Sequence, residues 1–222
     1  KEINNFYTST VYEKGAEVVR MVKTLLGPER FRAGMDLYFQ RHDGEAATVE
    51  QFIQCFADAS GRDLTSFMRW YSQAGTPEVV TSGHYDPDAK TYRLEIAQVL
   101  HPTPGQPSKE PMVIPLITGL VGGDGCDLPL KLADDRRIER GVLVLEKPTQ
   151  SFVFTDISER PVLSTNRNFS APIKLAANLT PDDLRLLAAC DSDPFNRWQA
   201  VQTLAGALLV GNVARLRAGQ DP

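Results

Sequence analysis

What most constrains this chain is a change in the period of its apolar residues. From residue 10 to about Gly75 they recur every three or four positions. After Thr76-Pro77 they recur every second position, and after Thr180-Pro181 the wider spacing returns. A period near 3.6 lines one face of a helix and a period of two lines one face of a strand, so no single regular element can hold both. The chain must therefore be helical, then a sheet, then helical again. At 222 residues it is long enough for more than one core.

In the first segment Val11, Gly15, Val18, Val22 and Leu25 share a stripe that Gly27-Pro28 stops. Phe31, Met35 and Tyr38 predict a second helix, ended by His42-Asp43-Gly44. Thr48 with Gln51 forms a capping box ahead of Phe52, Ile53 and Phe56. Asp63 is the expected N-cap of a fourth helix, with Leu64, Phe67 and Tyr71 on one face and Ala74-Gly75 at its end. Thr10 and Glu13 also have capping-box spacing, which accounts for both without any function. Capping does not require Tyr12 between them.

The middle segment alternates. Tyr92, Leu94 and Ile96 oppose Thr91, Arg93 and Glu95, and Asp86-Pro87-Asp88-Ala89 supplies a hairpin turn before them. Residues 112–120, 141–145, 151–155 and 161–165 are further strand-length runs. Several short strands with no helix between them predict an antiparallel β-sandwich. Gly122-Gly123-Asp124-Gly125 is read as a turn, because a phosphate loop would need G-K-[ST] and a helix after it. Thr180-Pro181-Asp182-Asp183 then opens a helix with a capping Thr, a Pro at the first position and two acids at the positive dipole end. Trp198, Val201, Leu204 and Leu208 continue the helical period after Asp193-Pro194.

Composition excludes several classes. A net charge of −4 with no Lys or Arg block gives no electrostatic footprint for nucleic acid or an anionic membrane. The longest apolar run, residues 112–121, is interrupted by Pro115 and Gly119 and is too short to span a bilayer. The opening Lys1-Glu2-Ile3-Asn4 has no leader character, and both ends read as cut from something longer. Cys55, Cys126 and Cys190 are isolated, which suits reduced, buried thiols in a cytoplasmic protein. His42, His84 and His101 have no ligand spacing, and there is no C-x-x-C, G-x-S-x-G or G-x-G-x-x-G. Spacing alone does not make this chain an enzyme.

Residues 4–27, N-N-F-Y-T-S-T-V-Y-E-K-G-A-E-V-V-R-M-V-K-T-L-L-G, are similar to the segment that follows the zinc site in the bacterial aminopeptidase N family of gluzincin metallo-aminopeptidases. Y-F-Q-R-H-D-G at Tyr38, R-W-Y-S-Q-A-G-T-P at Arg69, the proline-rich residues 101–115, F-S-A-P-I-K-L at Phe169 and F-N-R-W at Phe195 resemble the same family. The resemblance implies a multidomain α and β fold. Residues 1–75 would be the helical end of a thermolysin-like catalytic domain, 76–176 a β-sandwich domain, and 177–222 the start of an α-helical superhelical domain. It implies a zinc metallo-aminopeptidase of the membrane alanyl type that removes N-terminal residues from peptides. Tyr12 would be the catalytic residue, its phenol stabilising the tetrahedral intermediate. Asn4, Tyr7 and Glu13 would line the pocket for the first side chain of the substrate.

The family's H-E-x-x-H pair with its distal Glu, and its G-A-M-E-N segment, do not occur in this sequence. Zinc is thus expected in a longer parent and none on this chain, which is expected to be inactive alone. Expected partners are peptide substrates, the remaining domains of the parent, and a second copy of the chain through apolar surface left at the ends. The alternative is a non-catalytic helical and β-sandwich module that binds a protein.

Overall fold

The structure, a computed structural model, describes Thr8 and residues 10–221. Asn4 and Tyr7, and the side chain of Thr10, lie outside the described residues. A π-helical turn, Thr10–Lys14, leads into α1 (Gly15–Leu26). α2 (Pro28–His42) follows directly, because Gly27 at φ 86° turns the chain and Pro28 is preset for a first helical position. α3 (Val49–Ser60) carries the expected capping box, with the Thr48 hydroxyl accepting from Gln51 N and Gln51 Oε1 from Thr48 N. Helices α2 and α3 meet so closely at Gly34 that a methyl group there would run into the Phe56 ring.

The fourth helix departs from expectation. A 3-10 turn, Ser66–Met68, precedes a short α4 (Arg69–Ser72). A period of three then governs this stretch, placing Leu64, Phe67 and Trp70 inward while Tyr71 stays 39% exposed. The Trp70 indole N–H donates to Val113 O at 2.8 Å, anchoring the segment on the sandwich. Asp63 is not the N-cap, which falls at Thr65; its carboxylate closes an Asx turn instead, accepting from Thr65 N.

Among the described residues the sandwich has seven strands: β1 (Glu78–Asp86), β2 (Thr91–Val99), β3 (Ile114–Val121), β4 (Val142–Leu145), β5 (Thr149–Phe154), β6 (Val162–Thr165) and β7 (Lys174–Ala177). One sheet runs β5-β2-β1-β7 and the other β4-β3-β6. The β1–β2 hairpin pairs Asp86 with Thr91 across the expected turn, where the Asp86 carboxylate accepts from Asp88 N and Ala89 N. All pairings are antiparallel except β1 with β7, which is parallel.

Strand β3 is buried on both faces, one against the opposite sheet and the other under α1. Its first half pairs with β4 and its second half with β6, so Pro115 sits where one side of the strand has no partner strand and its missing N–H leaves no gap in the ladder. Val18, Met21 and Val22 of α1 join Leu116, Leu120 and Leu145 in one continuous core. From Val18 onward the stripe is therefore covered within the chain, while Val11 at its start stays exposed.

α5 (Pro181–Cys190) begins at a capping box between Thr180 and Asp183. α6 (Pro194–Arg217) begins at Asp193, whose carboxylate accepts from Asn196 N. Leu187 and Ala200 pack with Val121 and Val162 in a second small core under the sandwich. Beyond this the expected apolar stripe of α6 is uncovered, with Trp198, Val201 and Leu208 exposed. Among the described residues, no helix is long and apolar enough to cross a membrane. All three cysteines are free. Only Cys55 is buried; Cys126 in the β3 turn and Cys190 at the end of α5 are exposed, contrary to expectation.

Candidate functional site

The turn that carries Tyr12 is not the capped helix start its spacing suggests. Val11 N and Tyr12 N both donate to Thr8 O, at 3.0 and 3.2 Å, so the backbone is already helical at Thr10. Thr10 lies inside the turn, not at an N-cap, which has extended backbone. Glu13 then follows as an exposed side chain of the same turn. A π-turn is a rare widening of the helix and recurs at functional sites. Here it holds Tyr12 outward, 60% exposed, with Glu13 beside it.

Lys14 closes the turn and runs the other way. Its ammonium donates to Gly75 O at 2.8 Å, at the junction between α4 and β1. Lys109 from the proline-rich segment donates to Ala74 O at 2.6 Å and His101 O at 2.7 Å. Burial lowers the Lys14 pKa from its ordinary value, and the charge of Lys109 adds to the effect. Gly75 has φ 95°, a conformation that side chains disfavour. Sequence reading passed over Lys14, since nothing local signals a partner so far along the chain.

The rest of the helical region is bolted to the sandwich in the same manner. Arg20 of α1 donates to Asn168 O and Phe169 O, at 2.6 and 2.5 Å, and lies over the Phe169 ring. Arg69 donates to Pro111 O at 2.7 Å, and Gln73 exchanges hydrogen bonds with the Glu110 backbone. The element bearing Tyr12 therefore rests on a rigid two-layer support.

A second polar centre joins the sandwich to α5 and α6. Arg167, in a turn after β6, makes a bidentate pair with Asp127 at 2.6 and 3.0 Å and reaches Asp191 at 2.9 Å. Its Nε donates to Ser164 Oγ, which also receives Asn196 Nδ2. Gly119 is required below it, since a methyl there would collide with the guanidinium. The turn is strained, with Asn166, Asn168 and Phe169 at positive φ, and Asn166 holds it by hydrogen bonds to Ser170 and Ala171.

Chemically, Tyr12 offers a phenolic donor and Glu13 a carboxylate on one fixed turn. The three histidines are dispersed: His42 faces Glu45, His101 faces Glu78, and His84 is exposed on β1. Among the described residues, no group of three or more His, Cys, Asp or Glu is placed to hold a metal ion.

Family models match the chain in three consecutive parts. Residues 1–71 match the peptidase family M1 domain, residues 75–178 a domain of unknown function (DUF3458) with an Ig-like fold, and residues 181–222 a further domain of unknown function (DUF3458_C) described as ARM repeats. Aminopeptidase N of Escherichia coli K12 is 44% identical over 99% of the chain, and that of Caulobacter vibrioides 49% identical over 96%. The crystal structure of Legionella pneumophila aminopeptidase A in complex with aspartic acid superposes with a TM-score of 0.82 at 31% identity, covering 95% of this chain and 23% of that one. The chain spans about a quarter of the length of the curated relatives it matches, 25% and 24% respectively. With helices, an Ig-like sandwich and repeat-type helices in the same order, the chain is homologous over nearly its whole length to about a quarter of aminopeptidase N.

Proposed function

We propose that this chain is the part of a zinc-dependent aminopeptidase that supplies a transition-state donor and one wall of the substrate pocket. The observation that carries the reading is the V-Y-E-K-G segment, a π-turn that presents the Tyr12 phenol outward from a rigid support. A fixed O–H aimed at the oxygen where negative charge develops favours the transition state over the ground state, because it needs no reorientation during reaction. Glu13, with Asn4 and Tyr7, forms the pocket for the first side chain. Residues 1–75 end the catalytic domain, 76–176 form the sandwich that braces it, and 177–222 begin the helical domain.

Zinc supplies Lewis-acid polarisation and an activated water in such enzymes. The donor set described above does not fit that metal. In this reading its ligands belong to a longer protein, and residues 1–222 alone turn nothing over. What this chain does is orient Tyr12, and the hydrogen bond it offers does not depend on contributing a metal ligand.

The test is made on the full-length protein. Release of anilide from alanine anilide but not from its N-acetylated form, with one zinc per chain, supports the reading. No turnover and no zinc would favour a protein-binding module. That second reading draws on the exposed apolar residues Leu208, Leu209, Val213 and Leu216 of α6, a surface that a repeat helix presents to a neighbour.

A further inference from the structure

From the contacts at the end of the π-turn we infer that Lys14 is a positioning residue for Tyr12, acting through the carbonyl of Gly75. The inference rests on the proposed role of Tyr12 and adds the means by which that side chain is held. Tyr12 stands on a turn with few internal constraints, since a single π-turn has wider and weaker hydrogen bonding than α-helix. Val11 and Glu13 on either side of it are exposed. Lys14, two residues on, reaches across the fold, spanning 61 positions of sequence to donate to Gly75 O at 2.8 Å.

The acceptor is built for this contact. Gly75 takes φ 95°, which a side chain would resist, and lies just past the short helix α4, where the chain enters the sandwich. Lys109 holds the adjacent carbonyl, Ala74 O, and is itself fixed to His101 O. Two ammonium groups thus converge on two consecutive carbonyls despite their mutual repulsion. Gln106 completes the lock, accepting from Ala74 N at 2.8 Å and donating to Ser72 O at 2.9 Å. The backbone just before the carbonyl that receives Lys14 is therefore held at Ser72 and Ala74, so the tie transmits the rigidity of the sandwich junction to the turn bearing Tyr12. A displacement of the phenol by about 1 Å is enough to lose up to roughly 10²-fold in rate.

The experiment compares the parent, Lys14→Met, Lys14→Arg, Tyr12→Phe and the double variant in the full-length protein, with alanine anilide as substrate. Lys14→Met should lower kcat by roughly 10- to 100-fold with KM within about twofold, and Lys14→Arg, which keeps a long cationic donor, should recover most of the loss. In the Tyr12→Phe background Lys14→Met should add less than about twofold, because the group it positions is already gone. If Lys14→Met does not fold, Lys14→Gln, whose amide falls short of Gly75, is read by the same kcat and KM split. Turnover by Lys14→Met within twofold of the parent, or its full loss repeated on top of Tyr12→Phe, overturns the inference while leaving Tyr12 in place. Near-normal turnover by Tyr12→Phe removes the reading beneath it, and the inference with it.

Discussion

Arg167 and Asp191 face each other at 2.9 Å across the boundary between the sandwich and α5, their side chains 10% and 0% exposed. A charge pair so far from water adds little over a well-packed apolar pair, yet removing one partner leaves the other charged and unsatisfied. Arg167→Met should therefore destabilise the chain by about 3 to 5 kcal/mol. Arg167→Met combined with Asp191→Asn should cost less than the single change. Urea unfolding of the three proteins checks this, and equal losses in the single and double variants would contradict it.

The same clasp predicts a direction for acid sensitivity. The hydrogen bond from Arg167 holds the Asp127 carboxyl below its ordinary value of 3.8, against the opposing effect of burial, and Ser192 adds to the lowering. A carboxyl whose folded-state pKa is depressed contributes stability above its unfolded value and loses it as pH falls through the folded one. The melting temperature should decline as the medium is acidified from near 4 downward, and Asp127→Asn should flatten that decline while lowering stability at neutral pH.

Gly34→Ala sets two effects against each other. Alanine is favoured over glycine inside a helix by about 1 kcal/mol. The added methyl meets the buried Phe56 ring, which Phe31 and Phe52 pin at centroid distances of 5.0 and 4.8 Å. Overpacking of this kind costs about 1 to 3 kcal/mol, so the sum should be destabilising. Thermal unfolding of the variant reads the sign directly, and a rise in melting temperature would show that the ring can move.

Glu13→Gln separates pocket from scaffold. Glu13 is exposed and Thr10, the residue it would cap with, already belongs to the turn, so no capping energy should be lost. In the full-length protein the ratios of kcat/KM among arginine, alanine and leucine anilides should shift while the melting temperature stays within about 1 °C, the change expected of a surface substitution. Uniform loss across the substrates with a falling melting temperature would return Glu13 to a structural role.

What the sequence made legible was local. The capping box at Thr48, the capping Thr180, the Gly27-Pro28 stop and the hairpin at Asp86 are each set by residues a few positions apart, and each formed as expected. The long-range features were not legible. Strand β7, Lys-Leu-Ala-Ala, has little strand character of its own and exists because β1 offers it a parallel edge. The inward turn of Trp70 follows from a 3-10 segment whose period of three replaced the α spacing. At the site, V-Y-E-K-G marked Tyr12 and Glu13. The π-turn that presents them has no compositional signature, and the tie from Lys14 to Gly75 appears only when the chain is folded.

The central claim is that the Tyr12 hydroxyl stabilises the transition state. Tyr12→Phe removes that one group and keeps the ring, so in the full-length protein kcat for alanine anilide should fall by roughly 10² to 10³, the range for a single oxyanion donor, with zinc content and melting temperature unchanged. A kcat within about twofold of the parent would contradict the account, since a donor of this kind cannot be removed at so small a loss.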